Sequence, residues 1–408
     1  MRYIDFVDLE YEPSEMDLVC AFHLETSGPP LDVVAGGVAA ESSIGTWTKL
    51  TTVKPYMAEL QARTFEIEGN GIRVAYPQEL FEPGNMPNIL SSVSGNVFGL
   101  EDIKSLRLND IEFPTGLMEG FKGPKYGIEG IRKLLGVTER PLVGTIIKPK
   151  LGLRTEDHAK VAYEAWKGGC DIVKDDENLS NQAFNPFERR LAESLEARDR
   201  AEEETREMKV YMVNVTAETE EMVRRAGLVE DQGGRYMMVD ILTCGWSALQ
   251  TLRDRGLELV IHAHRAGHAA FTRSSSHGIN MRVISKVARI IGVDQLHVGT
   301  AVGKMAETAT EVKENVKALT EPLHDMKKVF PVASGGLYPG LVPELMEIFG
   351  RDFIIQAGGG IHGHPDGSVA GSIALRQAVD AVMAGMSLED YAEDHRELGR
   401  ALKTWSTI

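Results

Sequence analysis

Between about residue 140 and residue 360, short apolar runs alternate with longer stretches whose apolar positions recur every three or four residues. The runs are LVGTIIKP (142–149), CDIVKDD (170–176), VYMVNVTA (210–217), YMMVDILTCG (236–245), LELVIHAHR (257–265), DQLHVGTA (294–301), VFPVASGG (329–336) and DFIIQAGGG (352–360). Runs of this length, rich in Val and Ile and bounded by Gly or polar residues, predict buried strands, and the stretches between them predict amphipathic helices. Eight such units in succession match a (β/α)8 barrel better than an open doubly wound sheet. Segments such as 156–167 and 311–319 supply outer helices whose exposed charges need only solvent. A barrel of this kind gathers its reactive groups where the strands end. Here those ends carry Lys148, Asp176, Asn214, His264, His297, Ser334 and Gly358.

The first 130 residues have another rhythm. A strand (LVCAFHLET, 18–26), a helix (PLDVVAGGVAAES, 30–42), a hairpin around residues 69–71 and a second helical stretch running into LNDIEFP (108–114) predict a separate α+β, ferredoxin-like domain. The division expected is therefore 1–130 for that domain and 131–408 for the barrel. The tail, LEDYAEDHRELGRALKTW (388–405), reads as one closing helix with acid-to-base spacing that supports it locally.

A length of 408 residues exceeds what one core usually serves, which agrees with two domains. The formal charge of −16 argues against nucleic acid or an anionic membrane as the main partner. Cys20, Cys170 and Cys244 are odd in number and lack zinc-type spacing, and the acidic N-terminal stretch has no long apolar run. A cytoplasmic protein is the expectation.

Chemistry concentrates in GGCDIVKDDEN (168–178). Strand alternation puts Lys174 and Asp176 on one face, and a turn just beyond could bring Glu177 beside them. Oxygen ligands suit Mg²⁺, but a protonated ammonium cannot ligate a metal. Lys174 is thus a counter-ion or chemically modified, unless the cluster is a buried ion-pair network closing the strand. Lys148 and Lys150, two apart in GTIIKPKLGL, are expected to project together and lower each other's proton affinity, which suits acid–base work; a basic loop pairing with the acidic surface is the other reading. In IHAHRAGH (261–268), His262 and His264 have a zinc-like spacing without an obvious third ligand, so His264 reads as an acid–base group and Arg265 as an anion ligand, with His268 and His277 structural. QLHVGTAVGKMAE places Lys304 on a glycine-hinged loop that imitates a phosphate-binding P-loop with a residue too few. Two glycine-rich strand ends, VASGGLYPG and QAGGGIHGHP, expose backbone N–H groups suited to phosphate. A second anion site near Arg265 and His297 would face them, and two separated phosphates about a central metal describe a sugar bisphosphate.

Together with ESSIGTWT (41–48) and SGNVFG (94–99), these motifs resemble the large subunit of ribulose-1,5-bisphosphate carboxylase/oxygenase along essentially the whole chain. The resemblance implies a carbamate formed by an activator CO₂ on Lys174, which with Asp176 and Glu177 holds Mg²⁺. It implies catalytic roles for Lys174, Lys148, His264 and Lys304, and substrate binding by Lys150, Arg265, His297, Ser334, Gly335, Gly336, Gln356, Gly358 and Gly359. Glu41, Thr46, Trp47 and Asn96 would complete the site of a neighbouring subunit. In the implied reaction the carbamate takes the C3 proton of ribulose 1,5-bisphosphate, Mg²⁺ stabilises the enediolate, and CO₂ adds at C2 with Lys304 holding the new carboxylate. Hydration and C–C cleavage, assisted by His264 and ended by protonation from Lys148, give two 3-phosphoglycerates; O₂ attacking the same enediolate gives phosphoglycolate. Segments such as KPYMAELQARTFEIEGNGIRVAYP look most like the archaeal form III enzymes, tied to nucleotide ribose salvage and assembled as a homodimer or a ring of dimers without small subunits. Ile146 stands where many members carry Thr. The alternatives are a related enolase or isomerase acting on another sugar-phosphate analogue, and a non-catalytic barrel that senses a phosphorylated metabolite.

Overall fold

The computed structural model describes residues 2–303 and 307–406 and divides them into two compact units. The first comprises Met1–Lys122 with Gly267–Ile291, and the second Gly123–Ala266 with Gly292–Ile408. The segment 267–291, which the sequence reading kept within the barrel domain, thus clusters with the N-terminal unit.

That first unit is built on strands β1 (Asp17–Thr26), β2 (Arg63–Glu68), β3 (Gly71–Pro77) and β4 (Ile103–Glu112). They form an antiparallel sheet in the order β4-β1-β3-β2, and β1 buries Leu18, Cys20, Phe22 and Leu24 on one face by simple alternation. The helix Leu31–Glu41 packs against the sheet and against the turn Tyr3–Phe6. Its paired glycines have a steric reason: a Cβ on Gly36 would lie 2.1 Å from the Tyr3 carbonyl oxygen, and one on Gly37 would lie 3.1 Å from the Tyr3 ring. The expected helical stretch into 108–114 is corrected: the helix is Met86–Val93, and residues 108–112 belong to β4.

In the second unit eight parallel strands close into a barrel. They are β5 (Leu142–Ile146), β6 (Ile172–Lys174), β7 (Val210–Asn214), β8 (Tyr236–Asp240), β9 (Val260–His264), β11 (Gln295–His297), β12 (Phe330–Ser334) and β13 (Ile354–Gln356). The numbering leaves β10 to Gly278–Ile279, two residues from the inserted segment that pair parallel with β4 in the first unit's sheet. Every expected barrel run contains one strand. Leu142, Ile172, Val210, Tyr236, Val260, Phe330 and Ile354, each the first residue of its strand, form one buried cluster with Ile128, Ile131 and Leu135 of the helix Gly127–Leu135. That helix therefore plugs the N-terminal end of the barrel and leaves the opposite end for polar residues. The tail is two helices rather than one, Leu388–Asp394 and Arg396–Trp405. At the break, His395 stacks on Tyr391 with ring centroids 3.9 Å apart, and its Nδ1 reaches the Tyr391 carbonyl oxygen at 2.7 Å, the acceptor a continuous helix would have used.

Candidate functional site

The C-terminal end of β6 separates two carboxylates by alternation. Asp175 turns outward into a buried network, accepting from Tyr211 Oη at 2.6 Å, Arg190 Nε at 3.1 Å and the Asn214 N–H at 3.0 Å, with His158 Nε2 at 3.0 Å. Burial works to raise its pKa, but Arg190 and His158 outweigh it and hold the carboxyl well below the usual range. Asp175 is thus a structural ion-pair residue.

Lys174 and Asp176 face the other way. Lys174 is 1% exposed, and its Nζ donates to the backbone oxygen of Asp175 at 2.8 Å, with Met238 Sδ at 3.2 Å and Glu177 Oε2 at 3.8 Å. Burial pulls the amine's pKa below its ordinary value, against the opposing pull of Glu177 and Asp176. Asp176 accepts from Lys148 Nζ at 2.7 Å and from the Asn178 side chain at 3.0 Å. Its carboxyl is desolvated, which raises its pKa, yet these hydrogen bonds bring the net shift downward. Asn214 fixes the turn beyond the strand, its Nδ2 donating to the carbonyls of Glu177 and Leu179 at 3.0 Å each. Glu177 Oε2 lies 3.6 Å from His264 Nε2, so the turn delivers Glu177 to the lysine and the histidine together.

His264 is oriented from behind by Asp240, whose Oδ1 lies 2.6 Å from its Nδ1. The carboxylate can only accept while ionised, so the imidazole carries a proton on Nδ1 and turns Nε2 toward Glu177. Asp240 was not singled out from the sequence. The signal was present: it ends the apolar run YMMVD just as Asp176 follows the run DIVK. His262 and His297 were expected in other roles; here their Nε2 atoms meet at 2.9 Å, and His297 Nδ1 lies 2.6 Å from Ser334 Oγ. A zinc ion could not fit between nitrogens so close, given Zn–N bonds of about 2.0–2.1 Å each in tetrahedral geometry.

β5 ends at Ile146, before the two lysines expected to project together; Lys148 Nζ donates to Asp176, and Lys150 is exposed. Arg265 is buried against Glu307, 2.5 Å away, and its Nη1 has no partner among the described residues. Gln356 is fully buried with neither amide atom partnered among the described residues. Gly335 and Gly336 have φ of 124° and 76°, and a Cβ on Gly303 would lie 2.7 Å from the Gly335 oxygen, so the glycines let these loops approach closely. Gly358 and Gly359 open the short helix Gly359–His362. Lys304 lies outside the described residues.

In the first unit, Glu41 ends its helix and accepts from Tyr3 Oη at 2.7 Å, Thr46 and Trp47 lie in the following loop with Trp47 82% exposed, and Asn96 begins the turn Asn96–Gly99. His268 Nδ1 lies 3.0 Å from Thr272 Oγ1, and His277 stands edge-on to Phe98.

No group of three His, Cys, Asp or Glu residues among the described residues is placed to hold a metal. Asp176 and Glu177 give two carboxylates suited to a hard cation, and an oxygen function gained by Lys174 would add a third anionic ligand. Burial that lowers the pKa of this amine favours its neutral form, whose lone pair such a modification requires.

Residues 5–117 match the N-terminal domain model, and residues 127–405 the catalytic domain model, of the ribulose bisphosphate carboxylase large chain. A ribulose bisphosphate carboxylase of Methanocaldococcus jannaschii is 50% identical over 98% of this chain and 100% of its own length. The Pyrococcus furiosus enzyme of the same name is 48% identical over 100% of this chain and 98% of its own. Among solved structures, the octameric enzyme of Pyrococcus horikoshii in complex with sulfate superposes with a TM-score of 0.97 at 47% identity, covering 100% of this chain and 97% of that one. The dimeric archaeal enzyme of Hyperthermus butylicus gives 0.93 at 45% identity, with 100% of both chains covered.

Proposed function

Since the chain belongs to the ribulose bisphosphate carboxylase large-chain family and is a carboxylase of that kind, we propose that it converts ribulose 1,5-bisphosphate and CO₂ to two 3-phosphoglycerates, with oxygenation to 3-phosphoglycerate and 2-phosphoglycolate in competition. The observation that carries this reading is the buried Lys174 amine, lowered in pKa and set beside Asp176 and Glu177. A neutral amine is the form that adds to CO₂, so burial prepares this lysine for carbamylation.

Carbamylated Lys174, Asp176 and Glu177 would hold Mg²⁺, which when bound supplies Lewis-acid stabilisation of charge developing on the substrate's enediolate oxygens. The chain's own residues do the rest. His264, with Asp240 holding its Nδ1 proton, offers Nε2 as the acid–base position for hydration and cleavage. Lys148 brings an ammonium proton to the same end of the barrel and is suited to protonate the carbanion that cleavage leaves. Arg265, whose Nη1 is unpartnered among the described residues, and the backbone of Gly335, Gly336, Gly358 and Gly359 offer donors to the two phosphates. Lys150 and Gln356 would add polar contacts, and Lys304 would hold the incoming carboxylate.

Glu41, Thr46, Trp47 and Asn96 would reach the site of a second copy, which makes a homodimer the smallest active unit, alone or in a ring of dimers without small subunits. The related structures are described as dimeric and octameric. No helix among the described residues is long and apolar enough to cross a membrane, in keeping with a cytoplasmic setting, and archaeal nucleotide ribose salvage is the supply route we favour.

The test is anaerobic incubation with Mg²⁺, labelled bicarbonate and ribulose 1,5-bisphosphate, followed by measurement of acid-stable label in 3-phosphoglycerate. Label that requires the bisphosphate is expected. Exchange of the C3 proton with solvent, without label, would replace this reading with an enolase-type reaction; binding without either would leave a sensor.

A further inference from the structure

Glu307 has no part in the chemistry above, yet it is held firmly against a residue that does. It stands immediately before Thr308, the cap of the helix Ala309–Thr320. There the Glu311 N–H donates to Thr308 Oγ1 at 3.2 Å and the Thr308 N–H donates to Glu311 Oε2 at 2.8 Å, which sets the backbone on the C-terminal side of Glu307. Arg265 directly follows β9. Its Nη2 meets Glu307 Oε1 at 2.5 Å, and the two side chains are 6% and 16% exposed. Gly299, just beyond β11, leaves the room they occupy. A Cβ there would lie 3.2 Å from Arg265 Nη2 and 3.2 Å from the Glu307 carboxyl, and the φ of 93° suits glycine.

This pair limits what the guanidinium has left to offer. Arginine binds phosphate best through two parallel N–H donors. Here Nη2 already donates to a carboxylate, and Nη1 is the nitrogen without a partner among the described residues. A guanidinium and a carboxylate in contact also sum to zero charge. A phosphate dianion arriving at Nη1 therefore meets the repulsion of Glu307 together with the attraction of Arg265. The carboxylate has its own reason to be there, because a buried guanidinium without a counter-ion is strongly unfavourable.

We propose that Glu307 is a specificity-determining residue: a built-in anion that holds Arg265 Nη2 in place of phosphate and must be displaced before the guanidinium can grip a phosphate with both of its outer nitrogens. The displacement costs every phosphate ligand the same free energy. A sugar bisphosphate, held also by the glycine turns, retains enough affinity to bear that cost, whereas inorganic phosphate has a single anchor and is kept weak. The carboxylase reading supplies the identity of the substrate and the role of Arg265 as its anion ligand; the competition between carboxylate and phosphate for Nη2 can be measured without turnover.

Inorganic phosphate is the probe, titrated into the full-length protein at fixed pH and ionic strength, with binding read by calorimetry and by the rise in thermal midpoint. Glu307→Gln keeps the shape and removes the charge. It should bind phosphate about tenfold more tightly than the parent, the scale on which one charged hydrogen bond no longer has to be broken, and KM for ribulose 1,5-bisphosphate should fall with it. In an Arg265→Gln background the same change should do nothing, which places the effect at this guanidinium rather than at the glycine turns. Glu307→Asp guards against a simple folding failure, since it keeps a counter-charge near Arg265 but draws it back by one methylene; its phosphate affinity should fall between those of the parent and Glu307→Gln. Unchanged affinity in both variants would overturn the proposal. Weaker binding would overturn it too, because Glu307 would then be the partner that orients Arg265 toward phosphate. A parent protein that binds phosphate in this pattern but fixes no labelled carbon would remove the proposed function and leave the competition standing.

Discussion

The two ends of the barrel spend their buried charge differently. At the N-terminal end, Asp294 accepts from Arg253 at 2.6 Å and from the backbone N–H groups of Tyr126, Gly127 and Ile261 at 2.6, 3.2 and 3.0 Å. Asp171 likewise accepts from both Arg140 Nη atoms at 2.7 Å and from the Val143 N–H at 2.8 Å. These carboxylates are saturated by the protein itself, although Tyr236 Oη nearby stays unpartnered among the described residues. At the C-terminal end the buried Lys174 amine has only a backbone oxygen and a thioether within 3.5 Å among the described residues, with Glu177 Oε2 at 3.8 Å, while Arg265 Nη1 and both amide atoms of Gln356 lack partners among the described residues. Buried polar groups left unsatisfied are costly and rare in folded proteins. One end is closed for stability and the other is held open for a ligand.

Substitutions at matched positions should therefore fail in opposite ways. Lys174→Met, which keeps the volume, is expected to abolish carboxylation by at least about 10³-fold, the scale on which a catalytic acid or base is missed. Its thermal midpoint should equal or exceed that of the parent, because a desolvated amine has been removed. Retained label incorporation in this variant would end the carbamate assignment. Arg253→Met at the other end should instead lower unfolding free energy by about 3–5 kcal/mol, the effect of leaving one buried charge without its partner. Urea unfolding measures that loss, and the carboxylation rate per folded molecule should stay within about twofold, since additivity holds for distant sites. A large drop in that rate would mean that the two ends are not independent.

What the sequence made legible follows the same division. The eight strands could be read because each is a short apolar run, and the strand-end residues because Lys148, Asp176, His264 and His297 are charged or titratable where a buried strand stops. Asp175 could not be told from Asp176 as structural until Arg190, from a helix further along, was seen to reach it. Strand β4 was obscured by a register shift in its pairing with β1, between Ala21 and Phe22, which interrupts the period-two pattern around Asn109. The segment 267–291 read as part of the barrel because its neighbours in sequence are barrel strands; its pairing with β4, Gly278 against Arg107, is non-local. Asp240 was missed for a third reason: it acts on a histidine that comes from a different strand.

Asp240→Asn probes how finely the open end is tuned. An amide in place of the carboxylate still fills the space but no longer fixes the proton on His264 Nδ1, so Nε2 loses its assigned role. Outer partners of this kind are worth about 10–100-fold when lost, and that drop is expected in kcat, with KM for ribulose 1,5-bisphosphate little changed. Circular dichroism and the thermal midpoint should match the parent. A fall in stability without a fall in kcat would place Asp240 with the saturated carboxylates of the closed end.

The smallest effect, and the one that compares the ends within a single molecule, is the pH dependence of stability. Asp171 has a folded pKa lowered from the ordinary carboxyl value, because Arg140 outweighs the desolvation that would raise it. Its contribution is fully present above the unfolded value of about 3.9 and is lost as pH falls through the lower folded value. Lys174 is also lowered, here by desolvation, so the unfolded chain holds a proton that the folded one has released. Stability attributable to Lys174 should then rise with pH between its lowered folded value and the unfolded value of about 10.4. Both groups make the slope positive, but in separate windows. Thermal midpoints recorded across pH should show Asp171→Asn flattening only the acid limb and Lys174→Met only the alkaline one, whatever their absolute stabilities. If Lys174→Met leaves the alkaline limb unchanged, the amine is not depressed in the folded protein, and the preparation of Lys174 for CO₂ by burial is lost with it.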